Sequence, residues 1–435
     1  MTRTVVSRVL AVAASLFALV APCVGVGPAA RARLAAPAAA AGPCPGRVAA
    51  THHLDLDNAG LGGIAAVSAN DVWATGATRV TGGSRVVPLI EHYNGTVWCA
   101  VDSHNWAGDP LDAVTAVSAR DVWAVGYQIE HWDGHIWSVV PTPPTPVTPT
   151  YAPRPLTAVS ASSGNNVWAL SSGGHYVERW DGQRWRLVPL PKAAAIISYP
   201  LQTGPQAPLA NPAFEAIATL SLTDTWVVGE SGPLGLYPWA MHWDGKQWQE
   251  MTMPRSPAPA SYGADLQETC ESTDGAYFSL PGIAALSHDD VWVVASQVDD
   301  PSGEGRCPLA FHWDGKAWHE EWLATSPKDV ALLERTYTTQ HGFAWDLQVM
   351  AATPGGDIWA MSDPEEVALH WDGHSWHAVS AFTGPKTTYY QPDLTGMSAA
   401  SANDVWAVSE AQPTPWNAYH WDGTHWRGVL ALPAG

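Results

Sequence analysis

Six histidines each stand one residue before the aromatic of a recurring segment: His92, His131, His242, His312, His370 and His420. Arg179 takes the matching place in another copy. Imidazoles repeated at equivalent positions raise the question of a shared metal centre. The segment they open reads His-Trp-Asp-Gly-x-x-Trp, and Asp-Gly is a tight-hairpin signal, so each histidine belongs on a strand entering such a turn. Symmetry-related strands of that kind lie well away from a common axis, and their side chains cannot converge on one ion at about 2 Å. The expected role is structural, a hydrogen bond toward a Ser-x-x-Asp turn, and no metal site is predicted.

Carboxylates and thiols offer two further chemistries. Asp265, Glu268, Glu271 and Asp274, with Asp299, Asp300 and Glu304, have the composition of a calcium site or a carboxylate pair, but their spacing is not that of an EF-hand. No cofactor is expected, with calcium as the alternative. Cys44, Cys99, Cys270 and Cys307 remain once a leader is removed. An even number in an oxidising compartment predicts two disulfides, and three pairings exist. The one that joins neighbours is Cys44 with Cys99 and Cys270 with Cys307. A zinc site is the competing use, but no pair has Cys-x-x-Cys spacing. The chain carries no Gly-x-Ser-x-Gly elbow, His-Glu-x-x-His helix or Walker loop.

The elements that position these residues come from a motif that recurs seven times. Its first part, Ser-x-x-Asp-Val-Trp-Ala-Val-Gly, centres on Trp73, Trp123, Trp168, Trp226, Trp292, Trp359 and Trp406. Its second part ends on Trp98, Trp137, Trp185, Trp248, Trp318, Trp376 and Trp426. Each copy reads as four short strands, the last two joined by Asp-Gly or, in the first copy, Asn94-Gly95. The prediction is an all-β chain, a seven-bladed β-propeller of four-stranded antiparallel blades. Its repeats lie near 60–101, 111–140, 155–188, 213–251, 281–321, 348–379 and 393–432, within a domain spanning 41–435.

On these motifs the chain resembles a group of secreted bacterial propellers, kelch-like or galactose-oxidase-like in the loose sense. The resemblance covers everything from about residue 60 onward. It implies a propeller and no particular activity. The copies depart from true WD40 spacing and lack the double glycine of kelch repeats.

Blades splay apart toward the rim of a propeller, so the widening gaps need large side chains to reach normal packing density. Twenty of the 25 tryptophans belong to this framework, and their number alone is no sign of sugar binding. Alternating strand direction puts the short first-to-second and third-to-fourth turns on one face of the disc. All the variable connections fall on the other, where loops on a rigid scaffold carry binding and catalysis. The candidate ligand-binding residues on that long-loop face are the five tryptophans outside the repeat, Trp106, Trp239, Trp322, Trp345 and Trp416, with Tyr262, Tyr389 and Tyr390.

Charge and leader bound the setting. Arg3 and Arg8 precede an apolar stretch from Val9 to Val20 and then small residues, the layout of a secretory signal peptide followed by a small-residue linker, over 1–40. Cys23 loosely resembles a lipoprotein site, but Pro22 stands where a small residue is expected. Losing Arg3, Arg8, Arg31 and Arg33 would take the net charge from -20 to -24, which disfavours nucleic acid and anionic membrane surfaces. The expected protein is secreted, monomeric and not inserted in a membrane. Its expected function is non-catalytic recognition or scaffolding, binding an extracellular protein or glycan. The alternative is a carbohydrate-active hydrolase or lyase with paired carboxylates on the same face.

Overall fold

The computed structural model describes residues 54–103, 109–144, 155–171, 176–190, 213–231, 237–254, 277–298, 306–323, 326, 328–329, 346–363, 367–380, 394–410 and 418–429. These residues form seven four-stranded antiparallel sheets, each made from one copy of the repeat with its strands in chain order. The blades occupy 54–100, 111–140, 156–188, 213–252, 277–322, 346–380 and 394–429. First strands touch in succession around a central axis, and blade 7 meets blade 1 in the same way. The molecule is the seven-bladed β-propeller that the repeat predicts.

Each blade follows from its residues. The second strand, as in Asp121–Gly126, is buried from Val122 onward, as suits an inner strand covered on both faces by neighbouring blades. Its closing Gly126 is required because an added Cβ would run into the carbonyl oxygen of Pro110. At the outer hairpin Asp133 Oδ1 accepts from the backbone N–H groups of His135 and Ile136 at 2.8 and 2.9 Å. Gly134 there has a φ of 91°, a left-handed conformation that costs glycine little. Two first strands are longer than the repeat implies, Leu54–Ser68 in blade 1 and Tyr277–Ser287 in blade 5. In blade 1 the added length crosses register shifts between Asp55 and Gly60 and between Leu61 and Gly63, and such bulges erase the alternation by which a strand is recognised.

Blade-to-blade packing is one contact repeated seven times. The second-strand tryptophan of each blade enters between the third- and fourth-strand aromatics of the next. Trp73 meets Trp132 and Trp137 with ring centroids 5.1 and 5.4 Å apart. Equivalent wedges are Trp123 against Trp180 and Trp185, Trp168 against Trp243 and Trp248, and Trp226 against Trp313 and Trp318. Trp292 against Trp371 and Trp376 and Trp359 against Trp421 and Trp426 continue the series. The last, Trp406, reaches Tyr93 and Trp98 of blade 1 at 5.1 and 5.5 Å. Across that seam Ala66 N donates to Ser398 Oγ at 2.9 Å and Thr395 Oγ1 to the Leu61 carbonyl at 2.7 Å. Among the described residues, closure therefore uses the ordinary blade interface and no exchanged strand.

The histidines make the hydrogen bond that their strand position implies. In blade 2, Asp121 Oδ1 accepts from Trp123 Nε1 at 2.9 Å and pairs with His131 Nε2 at 2.8 Å. The imidazole lies on the indole with centroids 4.1 Å apart. The same His–Asp pair recurs at 2.7–3.2 Å in blades 1, 4, 5, 6 and 7. Blade 3 replaces both members: Arg179 Nε donates to Asn166 Oδ1 at 3.1 Å and the guanidinium sits 5.0 Å from the Trp168 ring.

Candidate functional site

The first strands open onto the long-loop face through a ring of seven matched residue pairs. The first of each pair is apolar and buried: Leu61, Leu111, Leu156, Phe214, Leu280, Leu347 and Leu394. The next residue borders the central cavity, of about 190 Å³, or the pocket beside it. Three of these second residues tie their blade to the following one. Glu215 Oε2 accepts from Leu280 N at 2.6 Å, Gln348 Oε1 accepts from Leu394 N at 2.7 Å, and Thr395 makes the bond to Leu61 described above.

Asp112 holds the same place in blade 2, yet among the described residues it has no hydrogen-bond partner. It borders a pocket of about 300 Å³ where blades 7, 1 and 2 meet, together with Arg79, Thr78, Pro110 and Glu410. Burial first, and then the negative charge of Glu410, push the Asp112 carboxyl up to about 6. Two carboxylates from non-adjacent blades thus share one depression, with a guanidinium on its rim. Such a site can accept hydrogen bonds from a cationic or hydroxyl-rich group, and Asp112 can hold or release a proton near neutral pH.

The tryptophans chosen from the sequence fare differently. Trp239 lies in the third strand of blade 4 (Tyr237–Trp243), is 5% exposed and stacks on Phe214 with centroids 5.1 Å apart. It joins Trp168 and Trp248 in the core between blades 3 and 4, so its indole fills an interface and offers no face to a ligand. The strand begins at Tyr237, earlier than the repeat suggests, and that carries Trp239 inside. Trp322 ends the fourth strand of blade 5 (Trp318–Trp322), its backbone paired with Leu309. Trp106, Trp345, Trp416, Tyr262, Tyr389 and Tyr390 lie outside the described residues, as do Cys44, Cys270 and the acidic residues between 265 and 304. Cys99 is buried in the fourth strand of blade 1, and Cys307 sits in the third strand of blade 5 opposite Gln297.

Asp112 and Glu410 escaped the sequence reading. The available signal was alignment of the seven first strands, which puts Asp112 level with Gly62, Thr157, Glu215, Pro281, Gln348 and Thr395 and so at the mouth. Three more acids, Glu91, Glu130 and Glu178, were missed at the residue before His92, His131 and Arg179. All three are buried. The other four blades carry Met241, Phe311, Leu369 and Tyr419 there.

No protein-family model matches the chain, and no curated protein matches it. Among solved structures it is similar to a catalytically inactive virginiamycin B lyase from Staphylococcus aureus with quinupristin, 13% identical over 82% of this chain and 94% of that one, at a TM-score of 0.47. It is also similar to YCF48 bound to D1 peptide, 14% identical over 72% of this chain and 79% of that one, at a TM-score of 0.41. YCF48 from Cyanidioschyzon merolae is 10% identical, with coverage of 82% and 94% and a TM-score of 0.43. Likenesses this distant say nothing about what this chain binds. Its own sheets and their closure carry the fold. Among the described residues no helix is long and apolar enough to cross a membrane.

Proposed function

We propose that this chain is a secreted, non-catalytic recognition propeller that binds an extracellular protein or glycan on its long-loop face. The pocket of Asp112 and Glu410 seats a basic or hydroxyl-rich group of that ligand. The observation that carries the reading is Asp112. Its counterparts Glu215, Gln348 and Thr395 bond to the following blade, whereas its carboxyl faces a pocket and a second acid. A net charge of -20 adds long-range attraction for a cationic partner, so a protein surface presenting lysine or arginine is the favoured ligand. Membership of the secreted bacterial propellers whose motifs the chain shares belongs to the same proposal.

The test is a binding screen of the secreted chain against extracellular proteins and glycans, repeated with Asp112→Asn and Glu410→Gln. Each variant is expected to weaken binding about tenfold, the worth of one charge-assisted hydrogen bond. Undiminished binding by both would refute the site. The hydrolase or lyase reading is favoured by one observation, the Asp112 carboxyl held near 6, within the working range of a general acid. It demands release of new sugar ends from a polysaccharide and loss of that release in Asp112→Asn.

Secretion and the two disulfides are tested together. Intact mass of the exported chain is expected to place its start near residue 40 and to rise by two hydrogens for each bridge on reduction. Unchanged mass on reduction would remove both bridges.

A further inference from the structure

On the short-turn face, the Ser-x-x-Asp turn of blade 5 carries a histidine that faces blade 4. In the turn of blade 3 the residue after the serine faces the aspartate of the preceding blade. Gly164 shows the relation, since a Cβ there would meet the carboxylate of Asp121. The position is held by Ala69, Ala119, Gly164, Leu222 and Ala402 in the turns that keep this length, and by His288 in blade 5. His288 is fixed from behind, because its carbonyl accepts from Trp313 Nε1 at 3.1 Å. Its Nδ1 lies 3.0 Å from Asp224 Oδ2, while the framework His242 places Nε2 2.9 Å from Asp224 Oδ1.

We infer that Asp224, His242 and His288 form a binding site for a divalent transition metal, zinc above all. Their three donor atoms lie within 4.8 Å of one another. Tetrahedral zinc with bonds of about 2.0–2.1 Å needs donors about 3.4 Å apart, so an ion would take the place of the two imidazole–carboxylate hydrogen bonds of 2.9 and 3.0 Å and move those donors apart by a few tenths of an ångström. Two imidazoles and one carboxylate are a donor set suited to zinc. Supports behind the ligands are already present. Trp226 Nε1 donates to Asp224 Oδ1 at 2.9 Å, and the His242 ring lies against the Trp226 indole with centroids 4.4 Å apart, fixing carboxylate and ring as outer partners fix metal ligands elsewhere. Asp224 and His242 are mostly buried, but the His288 side chain is 61% exposed, which gives an ion an entry path and leaves a fourth position for solvent. The site uses one framework histidine, one framework aspartate and one added residue, a combination distinct from a ring of six histidines. It lies on the face opposite the proposed ligand pocket and is independent of it.

Zinc chloride titrated calorimetrically into the full chain tests this directly, with cobalt chloride as a spectroscopic probe. One equivalent is expected to bind, and the cobalt form is expected to show the visible bands of a low-coordinate ion. His288→Ala lies outside the framework hydrogen bonds, so it should fold normally, lose the cobalt bands and weaken zinc binding about tenfold or more. His425→Ala, an exposed histidine in blade 7, should bind as the parent does. Absence of stoichiometric binding, parental affinity in His288→Ala, or equal loss in His425→Ala would each overturn the assignment.

Discussion

Replacing Trp406 by alanine is expected to cost about 3–5 kcal/mol, the usual penalty for emptying a buried aromatic site, and to open the ring. Trp406 is 1% exposed. It packs tilted on Tyr93 and edge-on to Trp98, and its Nε1 donates to Asp404 Oδ1 at 3.0 Å. The six equivalent wedges join blades that the chain also connects covalently. The seam between blades 7 and 1 has no such tether among the described residues, and is held by this wedge, by the apolar cluster of Leu61, Ile64, Val408 and Ala418 around it, and by the hydrogen bonds at Ser398 and Thr395. Marginal stability of 5–15 kcal/mol leaves little to absorb the loss. Urea unfolding of Trp406→Ala and Trp226→Ala, with limited proteolysis beside it, checks the point. Both variants should be destabilised, and only Trp406→Ala should show early cleavage of blades 1 and 7 while the middle blades persist. Identical cleavage patterns would count against a special role for the seam.

The second large effect is on the pH dependence of stability. Glu130 is buried, and that burial, with a smaller push from Asp102 and against the hydrogen bond from Gln128, raises its carboxyl to about 8. Burial alone raises Glu178 to about 7 and Glu91 well above its ordinary value. Between about pH 4.5 and these raised values the folded chain holds protons that the unfolded chain has released. Stability therefore falls as pH rises across that window and is fully retained below it. Glu130 alone accounts for a fall on the order of 3–4 kcal/mol between pH 5 and 9. Glu130→Gln keeps a neutral amide of the same size and should remove much of the slope, being more stable than the parent at pH 9 and similar at pH 5. Parallel stability curves from pH 5 to 9 would refute the assignment.

Much of the architecture was legible because each blade is built from residues close in sequence. Trp123, His131 and Asp121 meet within one copy, and the motif that joins them repeats, so the hydrogen bond of each framework histidine followed from strand position. Relations between blades were harder to read. Asp112 is one variable residue beside an apolar one until the ring closes and shows that Glu215, Gln348 and Thr395 use that position to reach the next blade. His288 was hidden for the same reason, because the carboxylate it faces lies 64 residues away in another blade. Trp239 was misplaced because the third strand of blade 4 outruns its repeat, which moved a loop-border aromatic into a core. Glu130 broke the expectation that charged residues avoid interiors, and only its position between two sheets reveals that it must hold its proton.

The wedges all point the same way around the disc, each blade inserting a tryptophan into its successor and receiving one from its predecessor. The ring thus has a direction, and its contacts are head-to-tail rather than mutual. A chain that lost its last blade would carry an unmatched knob at one end and an empty notch at the other. Those surfaces fit each other between molecules as well as within one, and contacts of that kind grow into filaments when they fail to close. Seven copies meeting end to end keep the adhesive ends satisfied inside a single molecule, so correct repeat number guards against polymerisation as well as setting shape.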